Sequence, residues 1–179
     1  MNVFVFPGQG SQHLGMGADL YNSNRKAQQI FEDANEILGF KITDIMFGED
    51  QEALKQTNIT QPAIYIHSMV IALIADKFFK PSAVAGHSLG EFTALAAANY
   101  ISFEDGLRLV HKRAIAMQEA CEKNESSMAA IVGLDDNTVE DVCSQSKETL
   151  VAANYNCPGQ IVISGTINAV NIACNKLTE

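Results

Sequence analysis

The chain has 179 residues, of which 47% are hydrophobic and 18% charged, with a formal net charge of -9. That length holds one ordinary domain, or one domain and part of a second, and the composition is that of a globular rather than a disordered chain. The negative field disfavours nucleic acid and anionic membrane surfaces as partners.

Residues 2–6 form a short β-branched and aromatic run that leads into Pro7-Gly8-Gln9-Gly10, the pattern of a buried strand entering a glycine turn. From Arg25 to Leu38 apolar residues recur at Ala27, Ile30, Phe31, Ala34, Ile37 and Leu38, which predicts a helix stopped by Gly39. Asn58 or Thr60 can cap the next helix, with Pro62 in its first turn and Lys80 at its end. Its apolar stretch from Pro62 to Phe79 contains His67, Ser68, Asp76 and Lys77, and is read as a buried helix, not a membrane span. Residues 82–85 predict a strand and 88–98 a helix. Ser102 and Asp105 resemble a capping box for a helix over 103–121.

Residues 122–126 are polar and are the expected linker. Beyond it the pattern predicts strand 128–134, helix 137–146, strands 150–154 and 160–164, and helix 167–177. The order β-α-β-β-α lacks only the last strand of a ferredoxin-like unit. The expected architecture is therefore α/β: a large subdomain with a parallel sheet over residues 1–124, and an incomplete ferredoxin-like subdomain over 125–179. Cys121, Cys143, Cys157 and Cys174 show neither zinc-like nor disulfide-framework spacing, so reduced thiols and a cytoplasmic location are expected, with no metal. No signal peptide is evident at the N-terminus.

Gly86-His87-Ser88-Leu89-Gly90 matches G-x-S-x-G between a predicted strand and a predicted helix, the context of a nucleophile elbow. Ser88 is the candidate nucleophile. The amide after it lies at a helix N-terminus, where unpaired N–H groups favour an oxyanion. Lipases and thioesterases of the α/β-hydrolase fold share this motif. Gly8-Gln9-Gly10 is not a dinucleotide loop, because His13 stands where the third glycine belongs, and no P-loop Lys-Ser/Thr follows.

Along the helix from Phe103 the apolar stripe is Leu107, Val110, Ala114, Met117 and Cys121. Arg113 lies roughly 80° from its centre, on the flank, where a long side chain can reach over a cleft. By spacing alone it is read first as a solvated helix arginine like Arg108 and Lys112, and second as a fork suited to a carboxylate.

Glu91 directly follows the serine motif, and the chain opens with Phe6-Pro7-Gly8-Gln9-Gly10-Ser11-Gln12. Together with Thr60-Gln61-Pro62-Ala63 and Asn154-Tyr155-Asn156-Cys157-Pro158-Gly159-Gln160, these blocks resemble the acyl-CoA:acyl-carrier-protein acyltransferase family of fatty acid and polyketide synthesis. The similarity runs along the whole chain in family order and resembles the N-terminal part of such an enzyme.

The resemblance implies that the Gln9 and Leu89 backbone N–H groups form an oxyanion hole, and that Arg113 pairs with the free carboxylate of a malonyl group. It makes Gln61, His87, Met117, Asn154, Asn156 and Gln160 candidates for the substrate pocket. It implies malonyl-CoA as donor substrate and the phosphopantetheine thiol of acyl carrier protein as acceptor, with no bound cofactor. None of His13, His67, His87 and His111 matches the family's catalytic base, which the resemblance places beyond Glu179. An isolated 1–179 chain is expected to be inactive, and either to self-associate or to be completed by a remainder of the protein. The rival expectations are an α/β-hydrolase-type thioesterase and a silent fragment that only docks a carrier protein.

Overall fold

A computed structural model describes residues 1–123 and 125–178. Contacts divide the chain into two compact units, Met1–Gln118 and Glu119–Glu179.

In the first unit, β1 (Val3–Phe6) and β2 (Ala83–Gly86) pair in parallel, with Val3 opposite Ala83 and Phe6 opposite Gly86. Between them run α1 (Ala18–Ser23), α2 (Arg25–Leu38), α3 (Ile42–Phe47), α4 (Gln51–Lys55) and α5 (Thr57–Ala75), then a 3-10 turn at Asp76–Phe78. After β2 come α6 (Gly90–Ala97) and α7 (Phe103–Lys123).

The local chemistry explains several boundaries. Asn24 Oδ1 accepts from the Lys26 and Ala27 N–H groups and caps α2. Gly39 ends α2 at φ 76°, and its N–H returns to the Asn35 and Glu36 carbonyls. Ser102 Oγ accepts from the Asp105 N–H at 3.0 Å and donates to Asp105 Oδ2 at 2.7 Å, which is the N-cap half of the expected capping box at the head of α7 with the two side chains joined directly.

The core joins these helices. Phe31, Ile42, Met46, Leu54, Ile64, Tyr65, Ile66, Met69, Leu89, Leu107 and Val110 are all buried in one cluster. Helix α5 starts earlier than its sequence signals indicate. Thr57 opens it, so Pro62 lies inside the helix rather than in the first turn and leaves the Asn58 carbonyl without its i+4 donor. Over Thr57–Phe78 the chain is long and apolar enough to cross a membrane, but the unbroken run Thr60–Ile66 is buried in the protein core.

The second unit contains β3 (Ser126–Val132), α8 (Asp136–Ser144), β4 (Leu150–Cys157), β5 (Gln160–Thr166) and α9 (Ile167–Thr178). Its antiparallel sheet has the order β3-β5-β4. Ile161 and Ile163 of β5 pack with Leu150, Val139, Cys143, Ala169, Val170 and Ala173. The five-residue linker expected over 122–126 is shorter than its polarity suggested: α7 continues to Lys123 and β3 begins at Ser126. Asn124, within that expected linker, lies outside the described residues.

A candidate active site on the turn after the second strand

Because β1 and β2 are parallel and in register, their C-terminal ends deliver the loop after Phe6 and the turn after Gly86 side by side. The His87 N–H donates to the Phe6 carbonyl at 3.0 Å. The two segments are so close that a Cβ on Gly8 would stand 2.8 Å from both Nδ1 and the carbonyl oxygen of His87. The glycine loop braces itself: Ser11 Oγ donates to the Gly8 carbonyl at 2.9 Å, and the Gly10 N–H to Gln12 Oε1 at 2.8 Å.

Ser88 has φ +56°, in the left-handed region. For a residue with a Cβ this costs about 1–2 kcal/mol, so the surroundings must impose it. They do so from both sides. A Cβ on Gly86 would fall 2.0 Å from the Gly90 carbonyl group, and one on Gly90 would fall 2.4 Å from the Phe6 oxygen. Only glycine at both positions allows the strand, the turn and α6 to approach this closely. Leu89, fully buried in the core cluster, pins the residue after the serine. The first bonds of the turn then follow in sequence, Gly90 N–H to His87 O at 3.0 Å and Glu91 N–H to Ser88 O at 3.1 Å. Ser88 is left exposed at the head of α6. Among the described residues, the Gln9 and Leu89 backbone N–H groups find no acceptor within the chain.

Arg113 reaches this turn from α7. Its Nη2 donates to Ser88 Oγ at 2.8 Å and its Nη1 to Gln61 Oε1 at 2.5 Å. Gln61 Nε2 in turn donates to Met117 Sδ at 3.3 Å. Arg113 and Met117 are four residues apart and share a helix face. The flank position predicted for Arg113 thus faces the serine, whereas Arg108 is spent on an exposed i,i+4 ion pair with Glu104 at 2.8 Å. The apolar stripe of α7 is buried at Leu107, Val110 and Ala114, while Met117 and Cys121 are exposed.

The structure thus brings Ser88, Arg113, Gln61 and Met117 into one bonded chain, with Gln9, His87 and Leu89 in the adjoining segments. Asn154, Asn156 and Gln160 belong to the second unit, where Asn156 Nδ2 donates to Gln160 Oε1 at 3.1 Å. The sequence marked Gln61 only through its block, and gave no signal that it pairs with Arg113.

The other histidines lie elsewhere. His67 packs edge-on against His13, with ring centroids 6.3 Å apart, and burial followed by the His13 charge lowers its pKa. His111 packs on Phe40 and is lowered by burial. Among the described residues, Ser88 Oγ is bonded to Arg113 and to no histidine, and no group of three or more His, Cys, Asp or Glu residues could hold a metal.

The acyl transferase domain family model matches residues 3–179. Two similar curated proteins are named malonyl CoA-acyl carrier protein transacylase. The one from Staphylococcus aureus (strain MRSA252) is 44% identical over 91% of this chain and 54% of its own length. The one from Bacillus subtilis (strain 168) is 42% identical over 99% of this chain and 57% of its own. The chain therefore spans about half the length of these relatives. Among solved structures, an acyl-carrier-protein S-malonyltransferase from Bartonella henselae superposes with a TM-score of 0.93 at 40% identity, covering 99% of this chain and 59% of that one. A malonyl-transacylase in complex with its type II PKS acyl-carrier protein gives a TM-score of 0.91 at 37% identity, covering 98% and 58%. With a strained serine between two obligatory glycines and a family match over nearly every residue, the chain belongs to the acyl transferase domain family.

Proposed function

We propose that this chain supplies the nucleophile and the carboxylate-binding arginine of an enzyme that moves malonyl from malonyl-CoA to the phosphopantetheine thiol of acyl carrier protein. The observation that carries this reading is the Arg113 guanidinium bonded to Ser88 Oγ at 2.8 Å. A cation of fixed charge beside the acyl-accepting oxygen suits an acyl group that carries its own carboxylate.

Ser88 Oγ attacks the thioester carbonyl, its proton passes to a base, and the carbonyl oxygen becomes an oxyanion. The unpaired Gln9 and Leu89 N–H groups are assigned to that oxyanion. Collapse breaks the C–S bond, the base returns the proton to the departing sulfur so that CoA leaves as its thiol, and a malonyl-Ser88 ester remains. Arg113 turns from Ser88 to the malonyl carboxylate as the ester forms. The carrier-protein thiol then gives its proton to the base and attacks the ester, and the C–O bond breaks as the base protonates Ser88 Oγ, leaving malonyl as a thioester on the carrier protein. The base is assigned to a histidine beyond residue 179, where the resemblance puts it; among the described residues no histidine is hydrogen-bonded to Ser88 Oγ.

The order β3-α8-β4-β5-α9 supports reading residues 125–179 as most of a ferredoxin-like subdomain, and the resemblance keeps its Asn154, Asn156 and Gln160 as substrate-pocket candidates. A role in fatty acid biosynthesis and a cytoplasmic location complete the proposal.

The test is intact-mass spectrometry of the full-length polypeptide after brief exposure to malonyl-CoA. A single malonyl adduct is expected, and Ser88→Ala should lack it. An undiminished adduct in that variant would take the nucleophile's role from Ser88.

A further inference from the structure

Gln61 is fully buried on α5, and both ends of its amide are engaged. The orientation of that amide is forced. A guanidinium has only donors, so only Oε1 can face Arg113, and the amide N–H is left for the Met117 thioether, a weak acceptor. The backbone beneath it is equally held: Thr60 is buried with its hydroxyl donating to the Leu54 carbonyl, and Pro62 follows inside the helix. Arg113 is the flexible partner, half-buried on a long side chain whose other bond is to the nucleophile. The rigid amide therefore decides where the guanidinium stands relative to Ser88.

We propose that Gln61 is a positioning residue that holds the Arg113 fork at the distance from Ser88 at which it accepts the carboxylate of a dicarboxylic acyl group, and so sets selectivity for charged over uncharged acyl chains. The chemistry favours a neutral amide there. It fixes one edge of the guanidinium through Nη1 without cancelling the charge, and leaves the remaining N–H groups for an incoming carboxylate. A carboxylate at position 61 would form an internal ion pair and occupy the fork that substrate needs. The inference rests on Arg113 being the carboxylate-binding residue.

The experiment compares kcat/KM for malonyl and acetyl thioesters in the full-length polypeptide carrying Gln61→Leu, Gln61→Glu, Arg113→Ala, or Gln61→Leu with Arg113→Ala. Gln61→Met, of matching length, gives a second removal of the amide should the leucine variant fold poorly. Removing the amide is expected to lower malonyl transfer roughly tenfold, the scale of one hydrogen bond to a charged group, and to change acetyl transfer by less than about threefold. Gln61→Glu should lose malonyl transfer at least as severely. In the Arg113→Ala background, Gln61→Leu should leave the malonyl-to-acetyl ratio unchanged. Equal loss of both substrates in Gln61→Leu and Gln61→Met would make the amide a packing element only. A selective loss that persists undiminished without Arg113 would separate the two residues. If Arg113→Ala itself loses both substrates equally, the assignment of Arg113 falls, and this inference with it.

Discussion

Ser88 and Arg113 show how little of a site needs unusual residues and how much depends on what each side chain is bonded to. Arg108 and Arg113 stand on the same helix, yet one is paired to Glu104 in solvent and the other to a strained serine and a buried amide. A charge-assisted bidentate contact contributes about 1.5–3 kcal/mol. Arg113→Ala in the full-length polypeptide should therefore lose malonyl transfer roughly ten- to a hundredfold more than acetyl transfer, measured as kcat/KM on the two thioesters. Equal losses would make Arg113 structural.

The half-buried histidines His67 and His111 carry a pH consequence. Burial holds His67 and His111 below their ordinary value of 6.5. As pH falls below that value, the unfolded chain takes up protons that the folded chain refuses, so stability falls; well above it neither state is protonated and stability is level. The melting temperature should thus drop between about pH 7 and pH 5, and less steeply in His67→Gln. An unchanged slope in that variant would assign the acid sensitivity to other groups.

At the scale of elements, the turn between β2 and α6 works because three backbone segments meet where no Cβ fits. Gly90 lies against the Phe6 and Pro7 carbonyls, and Gly86 against Gly90 itself. Gly90→Ala forces β1 and α6 apart at the site. Overpacking of this kind costs about 1–3 kcal/mol even where flexible side chains can yield, and here the obstruction is backbone. Chemical denaturation of Gly90→Ala should show a loss of about 3 kcal/mol or more, together with loss of acylation at Ser88. A variant of native stability would show that β1 and α6 can separate without strain.

At the scale of the molecule, the parallel sheet of the first unit has two strands, and the outward side chains of β1 are exposed, Val3 at 52% and Val5 at 71%. Parallel sheets are ordinarily covered on both faces, and unpaired edges invite association. Phe78 and Tyr100, exposed at 78% and 80%, add to this apolar surface. Purified residues 1–179 are therefore expected to elute and scatter light as species larger than the 19.4 kDa monomer, and to transfer malonyl far more slowly than the full-length polypeptide. A monodisperse monomer with full-length turnover would overturn both expectations and require a base among His13, His67, His87 and His111.

Local signals carried much of the fold into the sequence. The 3.6-residue period of α2, its Gly39 stop, the Ser102 cap and the apolar runs of the five strands among the described residues are properties of neighbouring residues, and they fold where their chemistry indicates. The G-x-S-x-G spacing likewise fixed a strained turn between a strand and a helix, because only glycine permits the approach on either side of Ser88. Other features were decided by packing. Helices α1, α3 and α4 have five or six residues, too few for a period to register, and Ile42, Met46 and Leu54 hold the latter two through the core. The early start of α5 has the same origin, since burial of Thr60 and Gln61 outweighs an interior proline. The chain from Met117 through Gln61 and Arg113 to Ser88 joins residues 25 to 56 positions apart. No local spacing encodes such a chain: it exists only once α5, α6 and α7 pack into one core and bring their polar flanks to the end of the β1–β2 sheet.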